Sequence, residues 1–198
     1  MSRLVVLLAL LCLLGPTVEA SECPASKSAK AGFLLERGGT RAQIRPASDH
    51  FVHVINVYPG GKKQDVIYFR GLFVVSRFDD SARSINIPLS DPRTVFPLAP
   101  KTRRAITYAP SQPGRIGATV SLELTVTGLE NVRLGACSYE VMVIRNRFMN
   151  AEGRVTYEDT DLYSEELGFL LGKRYDEPGG GKTTTLYDSI KLLGNSPL

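Results

Sequence analysis

The densest set of groups able to do acid–base or metal chemistry is Glu158, Asp159, Asp161, Glu165 and Glu166. On a strand, Asp159 and Asp161 share a face, because side chains alternate. Two carboxylates so placed can act as acid and base on a glycan, or offer oxygens to a hard cation such as Ca²⁺. No glycine falls between them and no regular oxygen-ligand loop surrounds them, so the stretch reads first as a solvated face. His50 and His53 are the only histidines. Three apart on a strand they point to opposite sides, and they could share a ligand only if Asp49-His50 lies in a turn. They read as surface residues. Asp176–Thr183 carries three consecutive glycines before Lys182. A phosphate loop needs glycine where Asp176 stands, and a helix after it. The threonine run that follows favours a strand, so this segment reads as a turn. There is no Gly-x-Ser-x-Gly elbow, and Cys137 has no histidine beside it in sequence. These residues justify no catalytic, cofactor-binding or metal-ligating assignment.

Compartment comes from the first twenty residues. Arg3 gives a positive start, Leu4–Leu14 is an unbroken apolar run, Gly15-Pro16 breaks it, and Val18-Glu19-Ala20 offers small residues at a cleavage site. These are the three parts of a secretory signal. The run falls short of the about 20 apolar residues a membrane span needs. Leu11 before Cys12 and Glu22 before Cys23 argue against a lipobox. The expected organisation is a signal peptide over 1–20, cleaved near Ala20, a flexible Ser/Ala/Lys-rich lead-in over 21–32, and one β-rich domain over 33–198. The expected location is periplasmic or secreted, with no transmembrane span in the mature chain.

Cleavage removes Cys12 and leaves Cys23 and Cys137. An even pair in an oxidising compartment reads as one disulfide. A buried free thiol at Cys137, or pairing of Cys23 between chains, is the alternative. Two lone cysteines with no nearby histidine make a weak metal site. The net charge is +4, but lysines and arginines fall in short clusters. That pattern reads as a solvated mixed surface more than as one built for anionic lipid or glycan. Nucleic acid is a poor partner for an exported chain.

The elements that would position these groups are strands. Phe51–Tyr58 and Val66–Phe78 flank Pro59-Gly60-Gly61 and form a hairpin candidate, with Gly71 marking a bulge or a close backbone contact. The proline-dense stretch 79–117 reads as loops and edge segments, with a short strand at Ala105–Tyr108. Ala118–Thr127 alternates strictly, with Val120, Leu122, Leu124 and Val126 on one face, and Gly128–Asn131 turns the chain. Ala136–Phe148, Arg154–Tyr163, Phe169–Tyr175 and Thr183–Leu192 continue as strands, and Ser164–Leu171 offers at most one helical turn. The fold class is therefore all-β: an antiparallel meander after an N-terminal signal helix, forming a curved sheet, a sandwich or a partly closed barrel.

Gly128-x-Glu130-x-Val132, Gly135-Ala136-Cys137-x-Tyr139 and Tyr163-Ser164-x-Glu166-Leu167-Gly168 resemble the turn and strand signatures of a bacterial family of exported β-rich domains of unknown function. The resemblance spans mainly 105–192 and reaches Gly71-Leu72-Phe73. Cys137 stands where the family has glycine, and Glu165 where it has proline. The resemblance implies a periplasmic β-rich fold and no particular chemistry.

Two functional readings follow. The favoured one is a non-catalytic envelope protein whose sheet binds an apolar ligand, a lipid or a protein partner. The alternative is a periplasmic hydrolase that uses the acidic stretch on a glycan. Tryptophan, a common platform for sugars, is absent, although Tyr and Phe, eight of each, can substitute.

Overall fold

A computed structural model describes residues 23–80, 82–176 and 181–193. The expected signal peptide lies outside these residues. All strands among the described residues belong to one antiparallel sheet. They are β1 (Phe33–Arg37), β2 (Thr40–Pro46), β3 (Phe51–Val57), β4 (Lys63–Phe69), β5 (Phe73–Asp79), β6 (Ala82–Pro88), β7 (Arg103–Gln112), β8 (Arg115–Ile116), β9 (Val120–Leu134), β10 (Cys137–Met149), β11 (Val155–Ser164), β12 (Phe169–Asp176), β13 (Lys182–Leu186) and β14 (Ser189–Leu192). Two short 3₁₀ turns, Ser28–Ala31 and Pro92–Val95, are the helical elements among the described residues. None of these is long and apolar enough to cross a membrane.

The sheet runs β13-β12-β11-β10-β9-β7-β6-β5-β4-β3-β2-β1-β14, with β8 beside β7. Its two ends meet. Tyr187 N–H donates to the Leu171 carbonyl of β12 and the next residue, Asp188, donates N–H to the Glu36 carbonyl of β1. The Asp188 carboxylate also accepts from Gly38 N–H at 3.0 Å. The sheet is thus rolled but not closed by a continuous ladder: two residues carry the chain from one edge to the other.

The alternation of 118–127 is as the sequence predicts, with Leu122, Leu124 and Val126 buried. The turn expected at Gly128–Asn131 is absent. The strand runs on to Leu134, and Thr127 is an extra residue between Val126, opposite Ile144, and Gly128, opposite Val143. Such a bulge re-aims the strand. Before it, the buried pairs Leu124–Asn146 and Val126–Ile144 share the inner face. Beyond it, Val132 and Leu134 pair with Tyr139 and Cys137 on the other face. There the lead-in covers them. Cys23 and Cys137 form a disulfide with Cα atoms 5.6 Å apart, the Tyr139 hydroxyl donates to the Pro24 carbonyl at 2.9 Å, and Ala29 is buried. The segment with little means of its own to stay ordered is thereby fixed to the sheet.

Three other expectations need correction. The long run over 66–78 is two strands, because Arg70 and Gly71 take positive φ and turn the chain. The proline-dense region contains β6 and a ten-residue β7. Pro110 is tolerated there because β7 changes partner next to it, from β9 at Tyr108 to β8 at Ser111. The expected strand 183–192 breaks at Tyr187-Asp188 and pairs at opposite ends of the sheet.

Gly71 also makes the predicted close contact. A Cβ there would lie 1.9 Å from the Gly168 carbonyl oxygen, at a φ of +65°. The obstacle is backbone of the β11–β12 turn and cannot swing away. Gly71→Ala is expected to cost about 2 kcal/mol from overpacking and left-handed strain. Urea unfolding checks this, and a loss below about 0.5 kcal/mol would show that the two turns separate freely.

Candidate functional site

Inside the roll, β10, β11 and β12 lie side by side and place four polar groups in a row. Asn146 is directly opposite Asp159, and Asp161 is opposite Lys173. Directly opposed residues on an antiparallel pair are close enough to touch. Asn146 Nδ2 donates to Asp159 Oδ1 and to Asp161 Oδ2, both at 2.7 Å. Lys173 Nζ lies 2.8 Å from Asp159 Oδ2 and 2.5 Å from Asp161 Oδ1. The two aspartates share a face as the sequence implies, but that face is not solvated: the Asp159 and Asp161 side chains are 4% and 5% exposed. The chain can bury them because Lys173 and Asn146 satisfy most of their oxygens.

Electrostatics follow from two carboxylates sharing one ammonium. Burial pushes the Asp161 pKa up, against the pull of Lys173. Burial opposes the charge on Lys173, yet the carboxylates outweigh it and hold the ammonium protonated well beyond its ordinary range. Two acceptor atoms remain without a hydrogen bond, Asn146 Oδ1 and Asp161 Oδ1. The second touches Lys173 as an ion pair, off the hydrogen-bonding direction. The first has no partner among the described residues.

Asn146, Asp161 and Lys173 line a cavity of about 240 Å³, together with Arg77 and Asn86. Its walls are otherwise mostly apolar, with Phe73, Val74, Val95, Ile106, Leu122 and Phe148 among them. The walls come from β5, β7, β9, β10 and the Pro92–Val95 turn, so the curvature of the sheet makes the space. A glycan-cleaving pair needs two carboxylates, about 5–10 Å apart, free to exchange protons across a cleft. Here one lysine and one amide hold both carboxylates, and the arrangement partly offsets their charge in an apolar setting.

The other acidic residues go elsewhere. Glu158 faces outward between Arg145 Nη2 at 2.6 Å and Arg147 Nε at 2.8 Å, and the Arg145 hydrogen bond holds its carboxyl below the usual range. Glu123 joins this outer ladder through Arg103 and Arg147. Glu165 and Glu166 line a shallow depression with Leu129, Glu140 and Met142. His53 Nε2 contacts Asp65 Oδ1 at 2.7 Å, while the His50 ring packs on Phe69, so the histidines do not converge. Among the described residues no group of three or more His, Cys, Asp or Glu side chains is placed to hold a metal ion. β12 and β13 pair antiparallel on either side of the glycine run, with Asp176 opposite Lys182, and the described residues after it form a strand and not a helix. Lys173 and Asn146 were not singled out by the sequence. The only available signal was that Lys173 and Asn146 sit on strands flanking the acidic one.

No known family profile matches the chain, and no curated protein matches it. A solved structure similar to it is the hypothetical lipoprotein YmcC from Escherichia coli (K12), at 12% identity over 88% of this chain and 90% of that chain, with a TM-score of 0.49. The functional reading rests on this chain's own residues.

Proposed function

We propose that this chain is an exported, non-catalytic binding protein that holds a small, mostly apolar ligand with one hydrogen-bond-donating group inside its rolled sheet. The observation that carries this reading is the largely apolar cavity of about 240 Å³ with Asn146, Asp161 and Lys173 in its lining. Asn146 Oδ1 is covered and has no partner among the described residues, and such acceptors are disfavoured by about 1–3 kcal/mol each, so a ligand donor that draws this amide toward the cavity would gain a hydrogen bond the protein alone lacks. Export is the reading of the N-terminal leader.

A matched pair of probes tests the proposal. 2-Naphthol and 2-methoxynaphthalene have nearly the same shape, but only the first donates a hydrogen bond. Fluorescence titration should show naphthol binding about tenfold more tightly, which corresponds to roughly 1.4 kcal/mol for the hydrogen bond. Val74→Phe, which fills the apolar end, should abolish binding while the melting temperature holds. Absence of binding by both probes, or equal binding of the two, would overturn the reading.

A further inference from the structure

A second cavity of about 360 Å³ adjoins the first and shares Tyr68, Arg77, Leu170 and Lys173 with it. Its chemistry differs. Four tyrosines, Tyr58, Tyr68, Tyr175 and Tyr187, line it together with Arg37 and Arg77, and no carboxylate is among its lining residues. They come from β1, β4, β5, β12 and the segments flanking β3 and β13, so only the rolled sheet assembles them.

Among the described residues neither arginine has an ion-pair partner, unlike Arg103, Arg145, Arg147 and Arg174. The nearest acid along β5 from Arg77 is Asp79, which accepts from Gln64 Nε2 at 2.5 Å. Lys173 is already matched by Asp159 and Asp161. The positive charge left for a ligand is therefore that of Arg37 and Arg77.

The polar groups are set for hydroxyls. Gln64 Oε1 accepts from Asn56 at 3.1 Å and from the Tyr58 hydroxyl at 3.2 Å, which orients that phenol. The hydroxyls of Tyr68, Tyr175 and Tyr187 meet no protein partner among the described residues, and all three residues line the cavity. Burial keeps the Tyr68 and Tyr187 phenols protonated as donors, outweighing the opposite pull of Lys173 and Arg77 on the first and of Arg37 on the second.

We infer that this second cavity is a binding site for an acidic saccharide, a sugar that carries a carboxylate or phosphate. Arg37 and Arg77 meet the anion, where planar guanidinium groups offer paired donors. The tyrosine hydroxyls meet the sugar hydroxyls, and the phenol rings and Leu186 take the apolar faces of the ring. The volume suits one or two sugar rings, not a long chain.

Isothermal titration calorimetry of the oxidised protein, with a glucuronate-containing disaccharide, glucose 1-phosphate, maltose and inorganic phosphate, decides the matter. At least one acidic sugar should bind, and maltose and inorganic phosphate should bind about tenfold more weakly or not at all. Arg37→Gln should weaken the acidic sugar about tenfold, while Arg133→Gln, outside the cavity, should not. Arg37 does not line the first cavity, so Arg37→Gln should leave naphthol binding unchanged, and failure of one site is distinguishable from failure of the other. Equal binding of maltose would remove the anion requirement, and equal binding of inorganic phosphate would remove the sugar. Either result, the absence of binding by every ligand, or an indifferent Arg37→Gln variant would overturn the inference.

Discussion

Lys173→Met should destabilise the protein by about 3–5 kcal/mol at neutral pH, the cost of leaving buried charge without its counter-ion. Methionine keeps the length of the side chain, so lost packing is a small part of the effect. What remains is Asp159 and Asp161, nearly fully buried, with only Asn146 Nδ2 between them. The deficit should depend on pH in a definite direction. Burial raises the Asp161 pKa above its unfolded value, so the folded state holds a proton where the unfolded state has released it. Its contribution to stability is most favourable below the unfolded value and declines as pH rises through the folded one. Without Lys173 the folded value rises further, so the variant should recover part of its stability as the pH falls toward 4. Urea unfolding at several pH values measures this. An equal deficit at acid and neutral pH would mean that the ammonium is not the counter-ion. Adding Asp159→Asn and Asp161→Asn to the variant should restore most of the loss at neutral pH, since an uncharged cluster needs no counter-ion.

Loss of the Cys23–Cys137 bridge should be of similar size. The cysteines are 114 residues apart, and the chain-entropy account gives about 4–5 kcal/mol for a loop of that length. The observed figure should be somewhat lower, because the released lead-in regains freedom that the bridge denies it in the folded state. The Cys23→Ser, Cys137→Ser double variant should unfold at lower urea. Amides of 24–31 should exchange far faster, while those of β3 to β6 keep their order of protection. If stability falls by less than about 1 kcal/mol, or exchange over 24–31 stays slow, the lead-in is held by Tyr139 and Ala29 without the cross-link.

Local periodicity made most strands readable. Leu122, Leu124 and Val126 announced a one-sided strand, and their burial is as the alternation requires. Composition misled where pairing overrides local preference. Gly128 looked like a turn, but the ladder to β10 continues past it at the expense of one bulged residue. Proline density hid β6 and the full length of β7, of which only Ala105–Tyr108 was expected, since a proline is harmless where a strand changes partner. The shared face of Asp159 and Asp161 was legible from the period of two, but their burial was not. It depends on Lys173 meeting Asp161 across a hairpin whose register shifts at Leu162/Tyr163, and no count along the chain reveals which residue stands opposite. The tyrosine-lined cavity was still further from view. Tyr58 and Tyr187 become neighbours only when the sheet has rolled through all its strands.

The passage of the chain from one sheet edge to the other at Tyr187-Asp188 sets an order of assembly. β1 has β2 beside it as soon as both exist, but its other neighbour, β14, is separated from it by nearly the whole domain. Until β13 and β14 are in place, β12 and β1 each present a bare row of amides and carbonyls, the kind of edge that recruits strands from other molecules. Contacts of such long range also slow folding, because the chain gives up entropy before they form. The last strands therefore act as a clasp: a molecule that loses them keeps its hairpins but exposes two adhesive borders, and its failure mode is association with its own kind.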